Sequence, residues 1–323
     1  MMGKNIGIDL GSSTALMYLS QSGKIVKEPS VIATDGISGK ILAAGNEAEI
    51  LCGRIPGAAK MIYPFRAGIN VESKYFTFFV AYMLKNAEIK GLFHPNLLFC
   101  MSADISEEDE NRIYDIVRRH GVKDVMVIDK MVAAAVGCGI APDRDDYNII
   151  IDIGGAQSEI ALISKGSCEL TQRIKIGGDT LDAAIAGYIA EKHGLRINFH
   201  EAERIKIELG GVWKRDSILK SEVVGTNISD GLPNTAEISS KEIFAAIAPH
   251  VKQFAIAVRT FLKQLDVDKK AEIAVNGIML TGGGSLLYGL PKLLEEVTAL
   301  SVTVAKDPIA SAAIGFERLS EIL

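Results

Sequence analysis

Two stretches of the sequence share one layout, in which an apolar strand ends in an aspartate, turns through small residues and continues as a second apolar strand. Asp9 precedes the first turn, and Asp152 precedes the second, 143 positions later (152 minus 9). The turn residues are Gly11, Ser12 and Ser13 in the first copy and Gly154, Gly155 and Ala156 in the second. Similarity at a separation close to half the chain predicts two related lobes.

The residue types in these turns suit phosphate and metal binding. Glycine lets the backbone adopt positive φ and approach a ligand closely, and successive N–H groups in such a turn form a concavity for anions. The two carboxylates, Asp9 and Asp152, would hold the water shell of a magnesium ion, which prefers carboxylates and waters. Two ordinary hairpins with glycine turns are the alternative. Two copies with matched aspartates favour a polyphosphate site.

Two further glycine clusters also follow apolar segments. Gly282, Gly283 and Gly284 come after the predicted strand 277–280, in a position to place bare backbone against a flat or anionic group. Gly177 and Gly178 precede Asp179, which we expect to cap a helix starting near Leu181.

Composition narrows the class of protein. The chain has 323 residues, 48% of them hydrophobic, and a formal net charge of −5. This profile predicts a packed α/β protein and argues against a nucleic-acid partner. The four cysteines have no metal-like spacing, which predicts reduced thiols in a cytoplasmic protein. The start of the chain has no secretory signal pattern, and the apolar run 76–84 is shorter than the roughly 20 residues of a membrane span.

Periodic apolar positions predict helices between the turns. Ser106 is expected to cap one helix, and residues 179–190 and 200–209 form two more. A longer apolar face is interrupted by Pro249 and comprises Ile243, Phe244, Ile247, Val251, Phe254, Val258, Phe261 and Leu265. Strands alternating with helices predict the α/β class.

The motifs, taken in order, resemble the actin, Hsp70 and sugar-kinase superfamily, and within it an MreB-type bacterial actin. Beyond the two hairpins, the resemblance covers nearly the whole chain. Its matches are E-P-S-V at 28–31, the run 39–57, A-A-A-V-G-C-G at 133–139, A-E-R-I-K at 202–206, M-L-T-G-G-G-S-L-L at 279–287 and A-K-D-P at 305–308.

The resemblance implies an actin-like duplicated two-lobed fold, with four subdomains and a nucleotide cleft between the lobes. The expected bounds are 1–31, 76–150 and 309–323 for subdomain IA, 32–75 for IB, 151–179 and 246–308 for IIA, and 180–245 for IIB. It also implies that ATP or GTP binds with Mg²⁺. Glu203, Lys206 and the backbone of 282–284 would contact the ribose and adenine. An ordinary solvated helix face is the alternative for Glu203 and Lys206.

The chain departs from the family pattern where water would attack the nucleotide. Family members usually place a glutamate in the helix that here begins S-E-E-D, and a threonine in the second hairpin. The matching residues here are Asp109 and Gln157. Aspartate is one methylene shorter, and a displacement on the order of 1 Å can cost roughly a hundredfold in rate. Glutamine can orient a water but cannot act as a base. We therefore predict slow ATP hydrolysis. Met131, where the family commonly has proline, has no functional explanation.

A membrane contact is predicted at Leu92 and Phe93. Gly91 is expected to end a helix and Pro95 to prevent it from resuming, which places the two apolar residues at a loop tip. In MreB-type proteins an apolar pair in the matching loop inserts into the inner leaflet. The alternative is that both side chains fold back onto the domain or form a subunit contact.

The resemblance thus predicts a filament-forming bacterial actin that organises cell-wall synthesis and cell shape. Its expected partners are further copies of itself in head-to-tail protofilaments, the inner face of the cytoplasmic membrane, and cell-wall elongation proteins. The alternative is a non-polymerising ATP-dependent regulator or chaperone-like accessory protein of the same superfamily. A sugar kinase would need a longer chain, and a complete Hsp70 would need a peptide-binding domain after Leu323.

Overall fold

The structure is a computed structural model that describes residues 5–54, 57–66, 69–87, 95–101 and 106–322, with only the backbone for 320–322. The chain folds into two units. Unit 1 comprises Met1–Arg144, Lys165–Cys168 and Ile309–Leu323, and unit 2 comprises Asp145–Ser164 and Glu169–Pro308.

Unit 1 contains eight strands and five helices among its described residues. The strands are β1 (Asn5–Leu10), β2 (Thr14–Leu19), β3 (Lys24–Pro29), β4 (Ile32–Asp35), β5 (Ile41–Ala44), β6 (Ala59–Ile62), β7 (Asn96–Met101) and β8 (Val125–Asp129). The helices are α1 (Gly45–Arg54), α2 (Lys74–Asn86), α3 (Glu107–Arg118), α4 (Lys130–Gly137) and, from the end of the chain, α10 (Ser311–Ile322).

Unit 2 holds the remaining elements, apart from the first two residues of β11. The strands are β9 (Asn148–Ile153), β10 (Ser158–Ser164), β11 (Ser167–Ile174), β12 (Leu195–Arg196), β13 (Lys220–Asn227), β14 (Pro233–Ser239), β15 (Ile278–Thr281) and β16 (Val302–Val304). The helices are α5 (Gly178–His193), α6 (Phe199–Leu209), α7 (Ser240–Lys263), α8 (Val267–Asn276) and α9 (Leu290–Thr298), with a 3-10 helix at Gly283–Leu286.

The two units contain five-stranded sheets of the same topology. Strand order is β3-β2-β1-β7-β8 in unit 1 and β11-β10-β9-β15-β16 in unit 2. In each sheet the hairpin is antiparallel, and the next two strands run parallel to its first strand. The predicted duplication is therefore confirmed at the level of strand order. Each unit also has a three-stranded antiparallel sheet, β5-β4-β6 or β12-β13-β14. The first of these small sheets lies within 32–75, the range expected for subdomain IB, and the second lies within 180–245, the range expected for IIB. The bounds of the four subdomains stay a prediction.

Each unit has its own apolar core. Aromatic side chains dominate in unit 1, where Phe65 packs edge-on against Phe76 and Phe79 with ring centroids 6.4 and 5.3 Å away. Aliphatic side chains from β9, α5 and α7 dominate in unit 2. Strands β1 and β9 are buried along almost their whole length. Strands covered on both faces are continuously apolar rather than alternating, and the I-G-I and I-I-I runs of these two strands have that character.

Helices α4 and α10 pack backbone to backbone in unit 1. A Cβ on Gly137 would collide with the carbonyl oxygen of Ser311, and one on Gly315 would collide with the carbonyl oxygen of Ala133. Only glycine permits this approach. The two helices therefore join segments that lie far apart in the sequence.

Several local predictions differ from the structure. Helix α7 runs continuously through Pro249, and Phe244, predicted on its apolar face, is 45% exposed. The capping box of Ser239 and Glu242 fixes the start of this helix. Helix α2 ends at Asn86 with Ala87 as its C-cap, and Gly91, which we predicted to end a helix, lies outside the described residues. Ser106 caps α3 as predicted, accepting a hydrogen bond from Asp109 N at 3.1 Å.

None of the helices in the described ranges is both long and apolar enough to span a bilayer. None of the four cysteines takes part in a disulfide bond.

Candidate functional site

In unit 2, the T-G-G-G turn packs directly against Asp152. Thr281 is the register partner of Asp152 in the parallel pair β9 and β15, so both residues lie at the carboxyl edge of the sheet. Gly282 has φ +77°, and a Cβ there would collide with Asp152 Oδ1 and the carbonyl oxygen of Ile153. A side chain at 282 would thus be strained and would displace the carboxylate. The turn needs glycine for this contact.

The second hairpin turn is joined to the start of α5. Gly154 N donates to the carbonyl oxygen of Gln157 at 3.0 Å, which closes the turn. Gly178 N then donates to Gly154 O at 3.0 Å, and Asp179 N donates to Gly155 O at 2.8 Å. A Cβ on Gly177 would collide with Gly155 O. Helix α5 therefore begins at Gly178 with Gly177 as its N-cap. The prediction that Asp179 caps the helix was wrong, because Asp179 lies in its first turn.

Lys206, on α6, also contacts the start of α5. Its Nζ donates to Asp182 Oδ2 at 2.8 Å and to Gly178 O at 3.4 Å. The Asp182 side chain is only 1% exposed. Burial raises the pKa of Asp182 to about 6, the charge of Lys206 opposes that rise, and the charges of Glu203 and Asp179 add to it. Lys206 and Glu203 thus share one charged cluster with the start of α5.

In unit 1, the first turn is fixed by the strand that follows it. Ser30 Oγ donates to Gly11 O at 2.6 Å, and Ser30 N donates to Ser13 O at 2.9 Å. An added Cβ on Gly11 would lie 2.5 Å from Thr14 O. Asp9, at the end of β1, is 5% exposed. The E-P-S-V motif therefore holds the backbone of the turn in place.

Glu28, at the other end of this motif, is hydrogen-bonded to two neighbouring helices. Its Oε2 accepts hydrogen bonds from Asn46 N at 2.9 Å, Asn46 Nδ2 at 3.0 Å and the Tyr82 hydroxyl at 3.1 Å. Burial, with the charge of Glu28, raises the pKa of Tyr82 to about 12. Glu28 therefore links β3 to α1 and α2.

The carboxyl ends of β1, β7 and β8 meet at one edge, because the three strands are parallel. Asp9 lies at this edge, α3 follows β7, and Lys130 follows β8. The Lys130 Nζ is 3.8 Å from Asp9 Oδ2. Sequence reasoning missed both Lys130 and Asp182. A signal for Lys130 was available, since ligands bind outside the carboxyl ends of parallel strands.

The predicted site residues divide between the two units. Unit 2 brings together Asp152, the 154–156 turn, the Gly177–Gly178 pair, Lys206 and Gly282. Gly284 lies against Ile153, and Gly283 lies between Gly282 and Gly284 in the chain. Glu203 is one helical turn before Lys206 in α6. Unit 1 holds Asp9 and the Gly11, Ser12 and Ser13 turn. Of the predicted catalytic pair, Asp109 is in the first turn of α3 and Gln157 is exposed. Leu92 and Phe93 lie outside the described residues.

Within the described ranges, no group of three or more His, Cys, Asp or Glu side chains is arranged to hold a metal ion. Asp9 and Asp152 each offer a carboxylate near the end of a strand, and magnesium commonly binds proteins through one or two carboxylates while keeping several waters.

Two sheets with this duplicated strand order, each carrying an aspartate and a small-residue turn at one edge, define an actin-like protein. Comparison with solved structures agrees. MreB5 of Spiroplasma citri bound to ADP matches with a TM-score of 0.90 and 25% identity, over 99% of this chain and 98% of that one. A MamK double helical filament has a TM-score of 0.82 over 99% of both chains, but at 21% identity this likeness shows the fold alone. The predicted actin-like α/β fold is confirmed.

Sequence comparison defines the family. The family model described as MreB/Mbl protein matches residues 3–323. The cell shape-determining protein Mbl of Bacillus cereus is 33% identical over 316 residues, which cover 98% of this chain and 95% of that protein. The chain belongs to the MreB/Mbl family of cell shape-determining bacterial actin homologues.

Proposed function

We propose that this protein binds ATP or GTP with Mg²⁺, polymerises in response, and organises cell-wall synthesis at the inner face of the cytoplasmic membrane. The observation that carries the nucleotide site is the set of contacts in unit 2, where three glycine turns and Lys206 converge around one sheet edge. The MreB5 structure bound to ADP supports the same ligand class.

The residues of this edge fit a nucleotide. The N–H groups of Gly178 and Asp179 are bonded to carbonyls of the hairpin turn, so what α5 offers a phosphate is the partial positive charge of its N-terminal end. Gly282 leaves room for the Asp152 carboxylate, because a Cβ at this position would collide with Asp152 Oδ1. Glu203 and Lys206 offer an acceptor and a donor for the ribose and base. The turns at 11–13 and 154–156 would bind phosphates, and Asp9 and Asp152 would hold a magnesium ion through its waters. Such an ion would supply positive charge that offsets the charge of the phosphates.

Asp109 and Gln157 are proposed to orient the attacking water. Neither residue is as effective as a longer carboxylate with a hydroxyl partner would be, so hydrolysis is slow. The enzyme activity is a weak ATPase coupled to polymerisation.

Nucleotide-dependent thermal stabilisation tests the site. A ligand at a hundred times its Kd adds about 2.7 kcal/mol to the free energy of unfolding, if it binds only the folded state. We expect Mg-ATP or Mg-GTP to raise the Tm of the wild-type protein and Asp152→Asn to remove most of that rise. Asp268→Asn, an exposed aspartate on α8, is the matched control and should keep it. A wild-type Tm that does not respond to either nucleotide contradicts the proposal.

Family membership supports self-assembly, with copies of this chain joined head to tail in protofilaments. Negative-stain microscopy with and without nucleotide is the direct test. Filaments that form only with nucleotide are expected. Particles that bind nucleotide but stay single would favour the non-polymerising regulator.

The membrane contact is proposed at Leu92 and Phe93. Burying one Leu and one Phe contributes roughly 1.5–3 kcal/mol each, which is weak for one subunit but strong when a filament repeats the pair at every subunit. Co-sedimentation with anionic liposomes is expected for wild-type filaments. Leu92→Ser with Phe93→Ser should abolish it while filaments persist.

The matched control removes two other exposed apolar side chains, Val267 and Val275 of α8, which are 80% and 83% exposed. Val267→Ser with Val275→Ser should still co-sediment. If the Leu92 and Phe93 variant keeps its liposome binding, the membrane surface lies elsewhere. Cell-wall elongation proteins are the proposed partners on the membrane.

A further inference from the structure

We propose that Lys130 is an additional phosphate-binding residue of the nucleotide site, and that its ammonium group gives the protein a mode of nucleotide binding that does not require a divalent cation. This inference rests on the proposed nucleotide site and adds a residue that neither the turns nor the family motifs assign.

The position of Lys130 carries the argument. It is the first residue of α4, directly after β8. Its Nζ lies 3.8 Å from Asp9 Oδ2, and the two side chains are 28% and 7% exposed. Asp9 in turn stands two residues before Gly11, at the end of β1. The ammonium is therefore next to the carboxylate that we assign to the metal's water shell, and it is partly accessible to a ligand.

Helix stability does not explain a lysine here. The N-terminal end of a helix carries partial positive charge, and a cation in its first turn is unfavourable. The side chain of Asp129 serves as the N-cap by accepting from Met131 N at 2.7 Å. Because Asp129 already caps the helix, it is the Lys130 ammonium that favours an anion at this edge.

The same arrangement weakens metal binding. A divalent cation near Asp9 would be repelled by the ammonium 3.8 Å from that carboxylate. A polyphosphate, by contrast, gains a charge-assisted hydrogen bond from Lys130. Lysine suits this role because its ammonium is a compact charge with three donors.

Isothermal titration of ATP into the protein, in EDTA and separately in excess Mg²⁺, tests the inference. Wild-type protein should bind ATP in EDTA. Lys130→Met should weaken binding in EDTA about tenfold or more, as expected for one lost charge-assisted hydrogen bond, and should make affinity strongly dependent on Mg²⁺. Lys130→Arg should keep most of the binding in EDTA, because it keeps the positive charge.

Lys123→Met is the matched control, since this lysine precedes β8 in the same unit and its side chain is 69% exposed. It should titrate like the wild type in both buffers. Circular dichroism of each variant shows whether it folds. If Lys130→Met binds ATP in EDTA as wild type does, Lys130 only pairs with Asp9 and the inference is wrong. If wild-type protein binds ATP in Mg²⁺ but not in EDTA, the inference also fails while the proposed function stands. If no protein binds ATP in either buffer, the nucleotide site itself is refuted.

Discussion

Lys206 of α6 is bound to Asp182 of α5 by a hydrogen bond of 2.8 Å between Nζ and Oδ2, in a place where the aspartate is almost wholly buried. The other carboxylate oxygen, Oδ1, is also buried and accepts no hydrogen bond from the described residues. Burying a carboxylate with only one oxygen hydrogen-bonded lowers the free energy of unfolding. We infer that it is kept because it fixes the position of the Lys206 ammonium.

The first prediction concerns Asp182→Asn, which should have opposite effects on stability and on binding. Raising a carboxyl pKa from 3.8 to about 6 makes the ionised form unfavourable by on the order of 3 kcal/mol. The amide removes that cost, so the variant should be at least as stable as wild type in urea at pH 8. Nucleotide affinity should fall about tenfold, because a charged partner of Lys206 is lost. A variant clearly less stable than wild type would show that the ion pair stabilises the fold.

The second prediction is the pH dependence of the difference in unfolding free energy between Asp182→Asn and wild type. The folded-state pKa of Asp182 lies above its unfolded value. The contribution of Asp182 to the free energy of unfolding is therefore most favourable below pH 3.8 and is lost as pH rises through about 6. The stability advantage of Asp182→Asn should therefore be full at pH 8 and shrink between about pH 6 and 4. Urea unfolding of both proteins across this range measures it. A constant gap would mean that Asp182 does not titrate there.

The third prediction compares two Gly→Ala changes of opposite sign. At Gly282 the positive φ and the collision with Asp152 should make alanine destabilising by at least about 2 kcal/mol, and should also weaken nucleotide binding. At Gly187, inside α5, a Cβ meets nothing within 4 Å, so alanine should stabilise by about 0.5–1 kcal/mol. Urea unfolding measures both. Equal effects at the two positions would contradict the backbone geometry.

The fourth prediction tests the Glu28 hydrogen bonds. Glu28→Ala leaves the Tyr82 hydroxyl and the Asn46 amide without an acceptor, and should cost about 3 kcal/mol. Tyr82→Phe should cost about 1 kcal/mol. Because the two residues share a hydrogen bond, the double variant should cost less than the sum of the two single changes. Additive losses in urea unfolding would show that the 3.1 Å contact contributes nothing. Glu237→Ala, which breaks only an exposed ion pair with Lys220, is the control and should have almost no effect.

The fifth prediction concerns turnover. Asp109→Glu with Gln157→Thr should raise the rate of phosphate release above that of wild type, with little change in nucleotide affinity, because under the proposed roles a longer carboxylate would orient the attacking water better. Single-turnover phosphate release separates the rate from binding. A slower double variant would show that aspartate and glutamine work together as they stand.

Much of the fold could be predicted because its signals are local. Apolar runs ending in Asp9 and Asp152 gave both hairpins with the correct turn residues, and Ser106 gave the start of α3. Helix boundaries set by tertiary contacts were less predictable. Packing carries α7 through Pro249, and the hydrogen bonds of α5 to Gly154 and Gly155 move its start ahead of Asp179.

The site was predictable only in part, for a related reason. Glycine clusters mark close backbone approaches, so the turns at 154 and 282 could be found. Lys130 and Asp182 stand in ordinary helical surroundings in the sequence. Their roles depend on partners 121 and 24 positions away (130 minus 9, and 206 minus 182), and only the folded chain shows those pairs.

The backbone contact between α4 and α10 bears on how the protein is made. Unit 1 is complete only when the segment after Ile309 has packed against the helix at Lys130–Gly137. A ribosome delivers all of unit 2, which ends at Pro308, before that segment emerges. Domains generally fold as units during synthesis, with the N-terminal one first. That order cannot hold for the whole of unit 1, since its first-translated part can make the α4–α10 contact only after the segment Ser311–Ile322 has left the ribosome.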